Sequence, residues 1–241
     1  MLLIKLTHGI QSILISKMNW LNKHPIAHRG LHYDDIHENT KESFQAAIKQ
    51  NYAIECDVVL TKDHEVAVFH DENLKRLCQI NTNISDITMN ELRKQKIYNS
   101  NCNIISLDEM LHVVSESVPI IIEIKGDYTP FIEERIQEII RSYKGPIALK
   151  SFSLKSLNWI IEFLPFVFKG LVVDEHTNNS EIIFDIDLDF ISCDINYVDS
   201  DLIIKARKNG LSIITWTIDN AEKKDKANLF ADNIIFEKIT P

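Results

Sequence analysis

Two short segments place charged side chains at alternate positions. In "IECDV" Glu55 and Asp57 flank Cys56, and in "IEIKG" Glu123 and Lys125 flank Ile124. Residues two apart on a strand share a face, so each pair points one way. "IAHRG" begins as an apolar strand and stops on His28, Arg29 and Gly30, while "VAVFH" ends on His70. If these strand ends meet, two histidines, three carboxylates, an arginine and a lysine share one mouth. Two like charges ~4 Å apart repel by about 4 kcal/mol at an effective dielectric near 20. Three acids are therefore unfavourable together unless protons or a cation intervene. A divalent metal is the economical solution, and hard carboxylates favour Mg²⁺ or Ca²⁺ over zinc. The histidines remain free as a general acid–base pair, and Arg29 is a cation suited to phosphate.

The elements that must position these groups alternate along the chain. Strands are expected at 25–28, 53–60, 66–70, 120–125, 147–152, 169–175, 190–195, 212–217 and near 233–237. Helices are expected at 40–50, 130–143, 153–163, 200–209 and 219–230, with a helical piece near 88–95. Strands separated by helices of ten or more residues imply parallel βαβ units. Their number favours a closed α/β barrel over an open doubly wound sheet, and in barrels the C-terminal strand ends carry the chemistry. The 66–70 strand follows its neighbour too closely for a crossover, so it forms an antiparallel hairpin. A turn at 62–64 pairs His70 with Cys56, beside Glu55 and Asp57. Residues 72–103 read as an insertion after this third strand, too short and polar to be a second domain.

Composition narrows the partners. The 241 residues carry a formal net charge of −9, 45% apolar and 25% charged residues, an ordinary soluble globule. Nucleic-acid binding is excluded, for want of clustered Lys and Arg. An acidic protein handling an anion needs a local cation or metal. Cys56, Cys78, Cys102 and Cys193 form no C-x-x-C pair and read as reduced thiols of a cytoplasmic protein. Residues 1–24 read as an N-terminal extension to a single domain over 25–241. No apolar run in it approaches the roughly 20 residues of a membrane span. Met18 as the true first residue, or a helix closing the barrel floor, is preferred over a membrane-surface helix.

"HRG" at 28–30, "ENT" at 38–40, "ECD" at 55–57, "FHD" at 69–71, "SLDE" at 106–109, "EIK" at 123–125, "SF" at 151–152 and "WT" at 216–217 together resemble the glycerophosphodiester phosphodiesterase family, in its order and spacing from His28 onward. "ECDVVLTKD" and "ADNIIFE" are similar to a bacterial branch of it. The resemblance implies a distorted TIM (β/α)8 barrel that hydrolyses glycerophosphodiesters to glycerol 3-phosphate and an alcohol. It implies Glu55, Asp57 and Glu123 as ligands of a divalent metal, Mg²⁺ or Ca²⁺, His28 and His70 as acid and base, and Arg29 and Lys125 as phosphate contacts. It also implies attack by the neighbouring glycerol hydroxyl through a cyclic phosphate. The chain departs from the family pattern at His64, where a glycine is common in the hairpin turn.

Other signals point elsewhere. Trp216 and Ser151 are candidates for the substrate pocket, and His32 and His37 read as loop histidines. "DIDLD" at 185–189 imitates an EF-hand start, but Phe190 stands where glycine is required and Asn196 where glutamate closes the loop. The alternatives to a short-diester enzyme are a lysophospholipase D-type enzyme acting on lysolipids, a metal-assisted isomerase or lyase on the same barrel, and a non-catalytic binding relative. Arg29 beside two histidines speaks against enolate chemistry, which does not need that combination.

Overall fold

Strand β1 (Ile26–Ala27) is two residues long, yet it closes the sheet. It pairs in parallel with β2 (Ala53–Leu60) on one side and with β9 (Asn233–Phe236) on the other. Between them run β4 (Ile120–Ile124), β5 (Ile147–Ser151), β6 (Phe168–Val173), β7 (Phe190–Asp194) and β8 (Ser212–Ile218), each parallel to its neighbours. The result is a closed eight-stranded parallel barrel of the TIM type. The computed structural model describes residues 20–241 apart from 127 and 178–182. The readings of segment 1–17 lie outside the described residues. No described helix is long and apolar enough to cross a membrane.

The distortion has a simple origin. β1 reaches only Ala53 and Ile54 at the base of β2, and the antiparallel β3 (Val66–Val68) bonds the top of β2 instead. The hairpin register pairs Val58 with Val68 and Leu60 with Val66, and Phe69 N–H donates to Asp57 O at 3.0 Å. Continued one residue, that register sets His70 opposite Cys56, as the sequence predicts. His64 takes the left-handed φ of 59° in the turn, which explains why glycine is at home there.

Alternation sorts the barrel into two cores. Ile26, Ala53, Ile121, Ala148, Phe190 and Ile214 plug the lower lumen, with Leu21 beneath them. Ile54, Cys56, Val58, Ile122 and Leu149 face outward under the helices. These are α1 (Lys41–Lys49), α2 (Lys75–Cys78), α3 (Met89–Leu92), α4 (Leu107–Val114), α5 (Pro130–Ile140), α6 (Leu154–Phe163), α7 (Asp201–Lys208) and α8 (Ala221–Phe230). The insertion is less polar in effect than its composition suggests. Leu74, Leu77, Ile84, Met89, Leu92 and Ile97 bury a satellite core, but only by sharing it with Val59, Ala67 and Phe69 of the hairpin. It is fastened to the barrel by that sharing.

Helix α4 is absent from the periodicity reading, although its signal is present. "SLDE" is a capping box: Glu109 N–H donates to Ser106 Oγ at 3.3 Å, and Ser106 N–H donates to Glu109 Oε2 at 2.8 Å. All four cysteines are unpaired. Ser106→Ala should lower stability by about 1 kcal/mol, read as a shifted urea midpoint with an unchanged slope; no shift would mean the cap does not hold α4.

Candidate active site

Each strand end delivers its side chain for a local reason. After Ala27 the chain turns sharply, with Arg29 at φ 54° and Gly30 at φ 77°. A Cβ on Gly30 would collide with Ser43, so only glycine fits there. The turn aims Arg29 N–H at Glu55 Oε2, 3.0 Å away. Its guanidinium meets Glu38 Oε1 at 2.7 Å and lies 3.2 Å from Asp57 Oδ2, at ion-pair distance but not aligned for a hydrogen bond through Nε. "ENT" now reads as three separate tasks. Glu38 holds Arg29, Asn39 Nδ2 donates to Asp57 Oδ2 at 3.1 Å, and Thr40 caps α1.

The three acids converge. Glu55, Asp57 and Glu123 are 0%, 1% and 6% exposed, and one oxygen of each lies within 4.8 Å of the others. A cation already intervenes, and the sequence reading had no place for it. Lys150 Nζ, from β5, lies 2.6 Å from Glu123 Oε2 and 3.1 Å from Glu55 Oε1. Lys125 Nζ adds 2.8 Å to Glu123 Oε1. Burial alone would raise Glu123, but Lys150 and Lys125 outweigh it and hold its carboxyl down at about 2. Asp57 is served less well. Burial, then Glu55 and Glu123, push it up to about 7 against Arg29 and Lys125. One remedy for crowded acids, a cation, is therefore present at Glu55 and Glu123, and positive charge is shortest at Asp57. Lys150 is a cation of the kind that crowding demands, and the triad remains a group whose oxygens could hold a metal ion. The all-oxygen donor set, still short of positive charge at Asp57, nevertheless fits a hard divalent ion.

The two imidazoles are each tied at Nδ1 to a carboxylate. His28 Nδ1 meets Glu237 Oε2 at 2.8 Å, and His32 Nε2 approaches the same oxygen at 3.4 Å. The hydrogen bond from His28 and the nearness of His32 hold the Glu237 carboxyl far below the usual range. His70 Nδ1 meets Asp71 Oδ1 at 2.7 Å. Strict alternation would turn His70 outward with Cys56, but the strand ends at Val68 and His70 lies in a bend, which carries its ring into the mouth. There Lys125 Nζ sits 3.2 Å from His70 Nε2. An ammonium only donates, so that contact requires a lone pair on Nε2 and a neutral ring. Burial, then Arg29 and Lys125, keep the His70 pKa below its ordinary value.

His28, Arg29, Asp57, His70, Glu123, Lys125 and Trp216 line one cavity of ≈ 90 Å³. Glu55 sits behind it. Ser151 does not reach it: the hydroxyl donates to Ile124 O at 2.9 Å within the barrel wall, while its neighbours Lys150 and Phe152 line the space. Trp216 meets Phe152 edge-on, ring centroids 6.4 Å apart, and its indole N–H has no acceptor among the described residues. His32 proves to be more than a loop residue, through Glu237, whereas His37 stacks edge-on against Tyr98. In "DIDLD" Asp187 and Asp189 pair with Lys169 at 3.2 and 3.4 Å. The groups missed from sequence are Lys150, Glu237, Asp71, Glu38 and Asn39. Period-two counting along β5 and β9 could have flagged Lys150 and Glu237, two residues beyond the apolar Ala148 and Ile235 of the lower plug.

A parallel barrel with acids, imidazoles and cations at the C-terminal ends of its strands defines a hydrolase acting on an anionic ester. The family model for the glycerophosphoryl diester phosphodiesterase family matches residues 28–238. A glycerophosphodiester phosphodiesterase of Caldanaerobacter subterraneus is 27% identical over 221 residues, 83% of this chain and 88% of that protein. The human lysophospholipase D GDPD1 is 34% identical over 139 residues, 53% of this chain but 43% of the human protein. The crystal structure of a Thermotoga maritima glycerophosphodiester phosphodiesterase superposes with a TM-score of 0.74 at 28% identity, covering 88% of this chain and 94% of that one. The chain belongs to the glycerophosphoryl diester phosphodiesterase family and is, with it, a phosphoric diester hydrolase.

Removing Lys150 leaves two buried carboxylates without their shared partner. Lys150→Met should therefore lose about 3 kcal/mol of stability in chelator, measured by urea unfolding, and excess Ca²⁺ or Mg²⁺ should restore part of it. Equal stability of variant and parent in chelator would show that Lys150 is not the resident counter-charge.

Proposed function

We propose that the chain hydrolyses glycerophosphodiesters to glycerol 3-phosphate and an alcohol, with His70 as the first base and His28 as the first acid, within one catalytic domain over 25–241. The observation that carries this reading is the pair of imidazoles flanking the acidic triad, each held by a carboxylate at Nδ1. A divalent metal, Mg²⁺ or Ca²⁺, held by Glu55, Asp57 and Glu123, would stabilise charge on the phosphoryl oxygens as a Lewis acid. Arg29 and Lys125 serve the same oxygens from the protein side.

In the first step the neutral Nε2 of His70 takes the proton of the glycerol hydroxyl next to the phosphate. That oxygen bonds to phosphorus as the bond to the departing alcohol breaks, and the leaving oxygen takes a proton from His28. Glu237, which stays ionised, holds the His28 ring at Nδ1. In the second step the roles reverse: His28 takes a proton from water as the water oxygen bonds to phosphorus, the ring ester bond breaks, and His70 returns its proton to the departing glycerol oxygen. The Trp216 indole N–H remains as a donor for a substrate oxygen. Four unpaired thiols suit a reducing, cytoplasmic setting. Enolate chemistry has less support, because it gives Arg29 and two carboxylate-backed imidazoles nothing to do.

His28→Ala and His70→Ala should each lower kcat on glycerophosphocholine by about 10²–10⁴-fold while the circular dichroism and melting curve stay those of the parent. Full activity in either variant would remove the acid–base assignment. Because His70 must be neutral and its pKa is lowered, kcat/KM measured with the divalent ion saturating at every pH, so that protonation of Asp57 does not intervene, should hold as the pH falls to the ordinary imidazole value near 6.5 and decline only below it. An acid limb at or above that value would contradict His70 as base. Chelator should abolish turnover and Mg²⁺ or Ca²⁺ restore it; turnover that persists in chelator would remove the metal from the reading.

A further inference from the structure

Beside the acidic triad lies a second group of ligating atoms, built from nitrogen as well as oxygen. His28, His32 and Glu237 each offer one such atom, and the three lie within 4.8 Å of one another. Glu237 Oε2 stands 2.8 Å from His28 Nδ1 and 3.4 Å from His32 Nε2. Around a tetrahedral zinc ion, bonds of about 2.0–2.1 Å set the ligand atoms about 3.3 Å apart. The His32 separation already suits that geometry, and His28 needs to open only slightly. His32 Nε2 is buried and has no hydrogen-bond partner among the described residues, which costs free energy unless something completes it.

The backbone under all three side chains is pinned. His28 N–H donates to Phe236 O at 2.9 Å, and Glu237 N–H to Ile218 O at 3.0 Å. Leu31 N–H donates to Ser43 O of α1 at 2.9 Å, and Tyr33 and Ile36 exchange hydrogen bonds of 3.0 and 2.8 Å, so His32 is fixed from both sides. The three side chains keep 14–16% of their surface exposed. His32 also lines a cavity of ≈ 410 Å³ with the exposed Tyr33 and Asp34, which gives an ion a way in.

We propose that His28, His32 and Glu237 form an inhibitory zinc site, separate in its chemistry from the all-oxygen triad. Two imidazoles and a carboxylate suit zinc, whereas Mg²⁺ and Ca²⁺ take oxygen ligands. The ion takes the lone pair of His28 Nδ1, and the single proton of the neutral ring then sits on Nε2. Without a lone pair, Nε2 cannot take a proton from water. Giving up its proton to a leaving oxygen would make an imidazolate, so the acid role fails as well. The inhibition rests on the phosphodiesterase reading of His28; the binding of the ion does not.

The full chain with Mg²⁺ saturating is titrated with Co²⁺ and Zn²⁺. Co²⁺ should give the visible absorption of a low-coordinate site, and Zn²⁺ should abolish it. His32→Ala and His32→Gln, the second keeping a polar group beside Glu237, should each weaken Zn²⁺ binding by at least about tenfold in calorimetry. Zn²⁺ should also stop choline release from glycerophosphocholine, and further Mg²⁺ should not relieve it. The inhibitory concentration should rise in both variants by the same factor as the binding constant, each protein being compared with its own zinc-free rate. Binding and inhibition that neither variant alters, or inhibition that Mg²⁺ relieves, overturns the site. Zinc binding that depends on His32 in a chain that never turns over glycerophosphocholine keeps the metal site and overturns the inhibition together with the phosphodiesterase reading.

Discussion

Three carboxylates buried in one barrel lumen are the constraint to which the upper half of the molecule answers. The lower lumen is filled by aliphatic and aromatic side chains, so the acids cannot relax downward into water. Each oxygen is met from the protein where geometry allows: Lys150 and Lys125 on Glu123, the Arg29 backbone on Glu55, Asn39 on Asp57. Burying charge without partners costs several kcal/mol per ion, and removing any one contact exposes the others to that cost. The site is consequently a packing problem as much as a catalytic one, and its members are coupled.

That coupling extends beyond the barrel. Arg29 binds Glu38, Glu38 binds Arg76, Arg76 binds Asp71, and Asp71 binds His70, with contacts of 2.7, 2.8, 2.7 and 2.7 Å. Arg76 comes from α2 of the insertion and grips both carboxylates through paired nitrogens, geometry that suits guanidinium and not ammonium. A segment that reads as an appendage therefore holds His70 by its back, and is itself anchored by the apolar core it shares with the hairpin. Mobility in the insertion would be felt at His70 before it was felt at the acidic triad.

How much of this was legible in the sequence follows from how local each signal is. Glu55 with Asp57, Glu123 with Lys125, and the hairpin that brings His70 near Cys56 depend on period-two alternation and turn length, which neighbouring residues encode. His28 and Glu237 are 209 residues apart, and nothing in either segment announces the other. Lys150 was passed over because a lysine inside an otherwise apolar strand reads as an edge or a solvated position, and only the closed lumen makes it internal. Ser151, a substrate-pocket candidate by motif, falls one residue off the inward face. The "SLDE" motif was noticed as a family mark, while its physical content, a capping box that starts α4, went unread. His70 was placed correctly although alternation alone would have turned it outward; the bend after Phe69 is a tertiary event.

The balance of charge in the mouth ties these strands of argument together. Arg29, Lys125 and Lys150 match Glu55, Asp57 and Glu123 in number, so the lumen is close to neutral on its own, in a chain whose formal charge is −9. A neutral cavity gives a phosphodiester anion no reason to enter an acidic protein. A divalent ion at the triad would tip the mouth positive, while the buried lysine keeps the acids ordered without it. Without Lys150 the triad would depend on the ion for its own assembly; without the ion the mouth would be ordered but unattractive to its substrate. The resident ammonium holds the acids together, and a divalent metal held by the same triad would give the mouth its sign.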